Sequence, residues 1–181
     1  LHAAYRNAIR EQDHEIARAV RAFLAVQGER PWLVVLTSDH GEAFGEHYAI
    51  HHGQNLYDEQ IHVPGFIATS KDLLSPAQAA ALRDAEHAPT SHVDLLPTVL
   101  DALEVWDSAA LTPFRARMVG RSLLRPRLDT RRALPMTCCN ESFPCPQNSW
   151  GMLGERHALI AQSWDGGFHC VPLDDSGVPG R

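Results

Sequence analysis

Residues 37–64 read TSDHGEAFGEHYAIHHGQNLYDEQIHVP, and this stretch decides how the rest of the chain is interpreted. It follows a continuous apolar run, residues 33–36, and such a run is typical of a strand that is buried on both faces. Asp39 and His40 lie just after this run, and His52 follows Asp39 by thirteen residues. Ligands of open α/β sheets bind beyond the carboxyl ends of the strands. The stretch therefore predicts a functional site at the end of this strand.

The composition is that of a folded, mildly acidic protein. Of the 181 residues, 44% are hydrophobic, and the formal net charge is −6. A net negative charge does not favour binding to nucleic acid. No apolar run approaches the roughly 18 residues that are needed to cross a bilayer. No signal peptide is recognisable, and Leu1 lies at the start of a predicted helix. We therefore expect a trimmed fragment or the processed C-terminal half of a larger protein, with a periplasmic or other extracytoplasmic location.

The order of the predicted elements indicates an α/β fold with helices flanking a sheet, followed by a small antiparallel C-terminal hairpin or subdomain. Apolar periodicity, caps and turn residues define the elements, and Gly28 is expected to end the first helix. In chain order these elements are a helix over 2–26, a strand over 33–36, a loop with some helix over 40–60, a strand over 61–69, helices over 75–86 and 91–103, a loop-like stretch over 106–149, and a hairpin with strands over 157–164 and 168–173. Asp94 is expected to cap the helix over 91–103.

Asp39 and His40 have the chemistry of metal ligands. A carboxylate oxygen and an imidazole nitrogen together suit a divalent ion such as Ca²⁺, Mn²⁺ or Zn²⁺. Gly41 is expected to let the backbone turn sharply, so that both side chains face one point. The alternative is that Asp39 caps a helix and His40 has no specific role, because the dipeptide alone is a weak signal.

The complete pattern is more specific than the dipeptide. TSDHGE, then GEH, then HG followed by LYDE and VP, resembles in order and spacing the second half of the sulfatases, within the alkaline phosphatase superfamily. The VDLLPT and GRSLL segments that follow also resemble that family, and the similarity covers roughly residues 1–125. The resemblance implies that residues 1–130 are the C-terminal portion of a catalytic domain with an alkaline-phosphatase-like mixed sheet. Residues 131–181 would then form a small antiparallel subdomain and tail.

The resemblance also implies roles for individual residues. Asp39 and His40 match the two metal ligands of this segment, and His52 matches the residue that contacts the sulfuryl or phosphoryl oxygens of the substrate. The implied substrate is a small anionic ester. The family's nucleophile is a formylglycine made in a C/S-x-P-x-R motif, or else a Thr or Ser, and no such motif occurs in this chain. We expect the nucleophile in an N-terminal half of the same domain, so that this chain alone is inactive.

Three other functions stay open at this stage. The chain could belong to a phosphonate or phosphodiester hydrolase, or to a phosphoethanolamine-type transferase, because His40 replaces the Asn of many classical sulfatases. It could also be a non-catalytic, sulfatase-like remnant. The identity of the nucleophile would separate the two enzyme classes.

The residues around the motif have less specific expected roles. Glu42 is either a solvated carboxylate or an acceptor for the ring N–H of a ligand histidine. His51 is expected on the surface, while Tyr57, Asp58 and Glu59 are expected to pack and form hydrogen bonds rather than take part in chemistry.

The four cysteines cluster late in the sequence. They are Cys138, Cys139, Cys145 and Cys170, and their spacings match neither a zinc ribbon nor a C-x-x-C pair. A disulfide from Cys138 or Cys139 to one of the other two is one possibility in an oxidising compartment, and four free thiols are the other.

Overall fold

The computed structural model describes residues 1–53, 55–86, 88–126, 133–139, 147–162 and 166–173. Five α-helices and eight strands lie within these ranges. The helices are His2–Gln27 (α1), Asp58–Ile61 (α2), Pro76–Ala85 (α3), Leu95–Ala102 (α4) and Thr112–Arg115 (α5). The strands are Leu33–Thr37 (β1), Ala43–Phe44 (β2), Ile50–His51 (β3), Gly65–Thr69 (β4), Leu134–Cys139 (β5), Gln147–Leu153 (β6), His157–Gln162 (β7) and Phe168–Pro172 (β8). The α/β class predicted from the sequence is confirmed.

The first helix agrees closely with its sequence pattern. Helix α1 ends where Gly28 adopts a left-handed conformation with φ of 60°. Tyr5 packs edge-on against Phe44, with 4.8 Å between the ring centroids. This contact ties the beginning of α1 to β2, beside the predicted site.

Strand β1 is only half-buried, which corrects the prediction of a strand covered on both faces. It pairs with β4 in a two-stranded antiparallel sheet, in which Leu33 lies opposite Thr69 and Thr37 opposite Gly65. Within the described ranges no third strand joins this sheet. Strand β4 also begins later than predicted, because Ile61 ends helix α2 and Pro64 cannot donate a ladder hydrogen bond.

The C-terminal region contains a four-stranded antiparallel sheet, not a lone hairpin, in the order β5–β6–β7–β8. The hairpin prediction is confirmed for β7 and β8, but the loop-like interpretation of residues 106–149 is wrong for β5 and for the start of β6. Pro135 obscured the strand pattern of β5. Its position on an edge strand is one that proline tolerates, because it needs no N–H there.

Two segments that resembled the family separately are bound to each other. The Asp94 side chain is fully buried and accepts hydrogen bonds from the backbone N–H groups of Ser91, at 3.0 Å, and of Arg121, at 2.9 Å. Asp94 does cap the start of the helix predicted over 91–103, because it forms a capping box with Ser91 at the 3-10 turn His92–Asp94, but its side chain does not cap helix α4 itself. A Cβ atom on Gly120 would lie 1.6 Å from the carbonyl oxygen of Val93, so only glycine permits this contact.

The C-terminal sheet packs against the segment that carries the motif. Leu56, Ala158 and Ile160 form one buried hydrophobic cluster, and Ile61 of α2 packs on its margin. The sheet therefore supports helix α2. The domain boundary near residue 130 stays a prediction. No helix within the described ranges is long and apolar enough to span a membrane.

Candidate active site

The site begins at the carboxyl end of β1, where Asp39 and His40 leave the strand. Both side chains are accessible, with 86% of Asp39 and 44% of His40 exposed. The Nε2 atom of His40 lies 3.6 Å from Oδ2 of Asp39. The Nδ1–H group of His40 donates to the carbonyl oxygen of Gly41 at 2.9 Å, which leaves the lone pair on Nε2. A nitrogen and an oxygen donor are thus held side by side.

A short β-hairpin brings His52 to the same place. Strands β2 and β3 pair with Ala43 opposite His51 and Phe44 opposite Ile50. Continuing this antiparallel register by one step places Glu42 opposite His52. The structure agrees, since Oε2 of Glu42 lies 3.3 Å from Nδ1 of His52. Glu42 is therefore the acceptor for a histidine ring N–H, and it is mostly buried instead of solvated.

His52 also contacts His40. Their rings are stacked, with centroids 4.1 Å apart and planes inclined by 23°. The structure thus brings together Asp39, His40 and His52, the three residues singled out from the sequence, although His52 lies thirteen residues beyond Asp39. Because Glu42 binds Nδ1 of His52, Nε2 is the ring nitrogen that can bind another group.

One residue of helix α2 holds both ends of the hairpin. The backbone carbonyl of Gln60 accepts from the N–H of Gly41, and its side-chain Oε1 accepts from the N–H of Gly53, both at 2.9 Å. Gln60 is only 5% exposed. Sequence reasoning did not single it out, because a glutamine in a polar stretch carries no signal of its own.

The glycines explain how the backbones approach so closely. A Cβ atom on Gly41 would lie 2.1 Å from the carbonyl oxygen of Glu59, so Gly41 is needed for close contact and not for the sharp turn that we predicted. Gly53 does adopt a left-handed conformation, with φ of 78°.

The loop between β2 and β3 is strained and anchored. His47 and Tyr48 in this loop, and His51 in β3, have positive φ, which is uncommon for residues with side chains. The His47 ring stacks on Tyr57 at 3.8 Å and lies 3.2 Å from the carboxylate of Glu59. These contacts agree with the packing and hydrogen-bonding roles expected of the LYDE segment.

His92 is a second contributor that sequence reasoning missed. Its Nε2–H group donates to the carbonyl oxygen of Ser38 at 2.8 Å, and the same nitrogen lies 3.3 Å from Oγ1 of Thr37. His92 therefore links the segment before helix α4 to the end of β1, immediately before Asp39.

The electrostatics suit binding of a cation. The pKa of Asp39 lies below its usual range, chiefly because its own backbone N–H donates to the carboxylate and because the imidazole of His40 lies beside it. Within the described ranges, no group of three His, Cys, Asp or Glu side chains could hold a metal ion. Asp39 and His40 alone do not complete a metal site, and their assignment as ligands stays a prediction.

The only cysteine side chain that the structure describes forms no disulfide. Cys170 of β8 is a free, exposed thiol, so the predicted alternative of a bridge to Cys170 is wrong. Cys145 and the side chains of Cys138 and Cys139 lie outside what the structure describes.

Comparisons with known proteins agree on one family. The sulfatase family model matches residues 1–105. An uncharacterized sulfatase, YidJ, of Escherichia coli K12 is 33% identical over 93 residues, which are 51% of this chain and 17% of that protein. A crystal structure named provisionally as a sulfatase of Bacteroides thetaiotaomicron matches with a TM-score of 0.56 and 19% identity, over 82% of this chain and 31% of that one. The chain therefore spans less than a third of either relative.

Proposed function

The chain belongs to the sulfatase family, and we propose that it supplies part of the active site of a metal-dependent hydrolase that cleaves sulfuric esters. The observation that carries the proposal is the convergence of Asp39, His40 and His52. A carboxylate, an imidazole with a free Nε2 lone pair and a second imidazole meet at the end of β1.

Asp39 and His40 are the residues that would hold the divalent ion, which is Ca²⁺, Mn²⁺ or Zn²⁺. Such an ion supplies positive charge that stabilises the transferring group. The exposed position of both side chains leaves room for further ligands from outside this chain. Asp39 is negatively charged at neutral pH, as an ordinary aspartate is, and its lowered pKa extends that charge to more acidic pH.

His52 would contact the sulfuryl oxygens of the substrate. Its Nδ1 is engaged by Glu42, and its ring rests on His40, so its orientation is set before substrate binds. With its Nδ1–H held by Glu42, His52 can donate from Nε2 only in the imidazolium form, and such a preformed donor would stabilise the charge that develops in the transition state.

The nucleophile and the remaining metal ligands would come from an N-terminal part of the same domain. The attacking group is expected to be a formylglycine, a Thr or a Ser. Helix α1 exposes Ile9 and Phe23, and β1 is only half-buried, which is consistent with further packing there.

The proposal is tested by the chemistry of the complete protein. Purified full-length protein should release sulfate from 4-nitrophenyl sulfate, and Asp39→Ala should abolish that release. The isolated 181-residue chain should show no turnover, because it carries no nucleophile motif. Release of nitrophenol by the isolated chain, lost in Asp39→Ala, would contradict the expected role of the N-terminal part.

A phosphonate or phosphodiester hydrolase, or a phosphoethanolamine-type transferase, is the second candidate. The observation that favours it is His40, whose imidazole nitrogen suits a softer ion than Ca²⁺. Parallel assays with 4-nitrophenyl sulfate and 4-nitrophenyl phenylphosphonate would decide, since the preferred ester is the one with the larger kcat/KM.

A further inference from the structure

We propose that Gln60 is a positioning residue that sets the contact between His40 and His52. The inference rests on the proposed function for its catalytic consequence, but its structural part stands on hydrogen bonds alone. Each histidine directly precedes a glycine whose backbone N–H donates to Gln60. One residue thus holds two His-Gly pairs that lie twelve residues apart.

The two hydrogen bonds use different parts of Gln60. The backbone carbonyl binds Gly41, and this bond survives any substitution. The side-chain Oε1 binds Gly53 at 2.9 Å, and this bond exists only while an acceptor of the correct length is present. Gly53 has a left-handed backbone conformation, and without this bond its N–H group would need water as an acceptor. The side chain therefore controls the position of His52 relative to His40.

Helix α2 is itself held in place from behind. It contains four residues, too few to be stable alone. Ile61 packs on the cluster formed by Leu56, Ala158 and Ile160, which joins α2 to the C-terminal sheet. The support therefore extends from the sheet to α2, from α2 to Gln60, and from Gln60 to both histidines.

The test compares Gln60→Met, which keeps the length of the side chain but has no comparable acceptor, with Thr98→Val as a matched control. Thr98 is also fully buried, and its hydroxyl binds Asp94 and Leu123 but no residue of the hairpin. Gln60→Met loses one buried hydrogen bond and Thr98→Val loses two, so both variants should be destabilised. Only Gln60→Met should move His52.

The first measurement uses the 181-residue chain and does not depend on activity. Hydrogen exchange of the Gly53 amide should become about tenfold faster in Gln60→Met. The ring-proton shifts that report stacking of His40 on His52 should change. Neither signal should change in Thr98→Val. Gln60→Asn, whose shorter amide does not reach Gly53, should reproduce the result if Gln60→Met does not fold.

The second measurement uses the complete protein. In Gln60→Met, kcat should fall about tenfold to a hundredfold while KM changes little, because misplacement of a catalytic group affects the transition state most. Unchanged Gly53 exchange and ring shifts, or an equal loss of kcat in Thr98→Val, would overturn the inference. If the complete protein lacks sulfatase activity, the proposed function fails, while the exchange data still decide the role of Gln60.

Discussion

The Oε2 atom of Glu42 lies 3.3 Å from Nδ1 of His52, and the other carboxylate oxygen, Oε1, is buried without a hydrogen-bond partner within the described ranges. The pair directly follows the last bonded step of the β2–β3 hairpin. A buried carboxylate that accepts a hydrogen bond from an imidazole fixes the orientation of that imidazole. Glu42 therefore contacts the site through His52. It does not do so through His40, although His40 is its closer neighbour in sequence.

The first prediction concerns Glu42. In the complete protein, Glu42→Ala should lower kcat by about tenfold to a hundredfold, because loss of a partner that orients a site histidine usually has this size of effect. Glu42→Gln should retain more activity, since its amide oxygen still accepts from Nδ1. Steady-state kinetics on an aryl sulfate would measure both. Equal rates for Glu42→Ala and the parent would show that the contact has no catalytic role.

The second prediction concerns His52 itself. His52→Ala should raise the barrier of ester cleavage by about 2.7–4 kcal/mol, the usual effect of removing one preformed donor to the transition state. Metal content should not change, because His52 is assigned to the substrate and not to the ion. His51→Ala is the matched control, since His51 is exposed and adjacent. A rate for His52→Ala within about threefold of the parent, a small effect on this scale, would rule out the assignment.

The third prediction is that metal binding depends on Asp39 and His40. Calorimetric titration of the 181-residue chain with Mn²⁺ or Zn²⁺ should show weak binding, because only part of the ligand set is present. Asp39→Ala and His40→Ala should each abolish the signal. Asp58→Ala is a suitable control, because Asp58 pairs with His62 at 3.2 Å, outside the site. Equal affinity in Asp39→Ala and the parent would exclude Asp39 as a ligand.

The fourth prediction concerns stability and pH at the ion pair of Asp101 with Arg125. Burial alone would raise the pKa of Asp101, but hydrogen bonds from Arg125 and Ser122 outweigh it, so the pKa lies below its usual value. A lowered folded-state pKa adds stability above the ordinary carboxyl pKa, and that stability is lost as the pH falls through the folded-state value. Urea unfolding of Arg125→Met should show a loss of about 1–3 kcal/mol at pH 7. The difference from the parent should shrink below about pH 4.

A surface pair provides the control for this experiment. Arg18 and Glu15 form an ion pair on the exposed face of helix α1. Arg18→Met should change the free energy of unfolding by about 0–1 kcal/mol, because water and salt screen exposed pairs. A loss of unfolding free energy as large as that of Arg125→Met would show that the contribution of the Asp101–Arg125 pair does not depend on the burial of Asp101.

Much of the fold could be predicted because its signals are local. Residues that lie close together in sequence define helix α1 with its end at Gly28, strand β1, and helix α3 with its N-cap at Ser75. Strand β5 could not be predicted, because Pro135 breaks its pattern and only pairing with β6 reveals it. The contact of Asp94 with Arg121 could not be predicted, because the two residues are twenty-seven positions apart in the sequence.

By itself, the sequence determined which residues to consider for the candidate site: Asp39, His40 and His52 belong to a dense motif whose order and spacing can be read without coordinates. Only the tertiary structure decided how they meet. The pairing of β2 with β3 and the position of α2 bring three sets of contacts together. These are the ring contact of His40 with His52, the contact of Glu42 with His52, and the hydrogen bonds of Gln60. The physical reason is that a hydrogen bond depends on distance and direction in space, whereas a motif records only order along the chain.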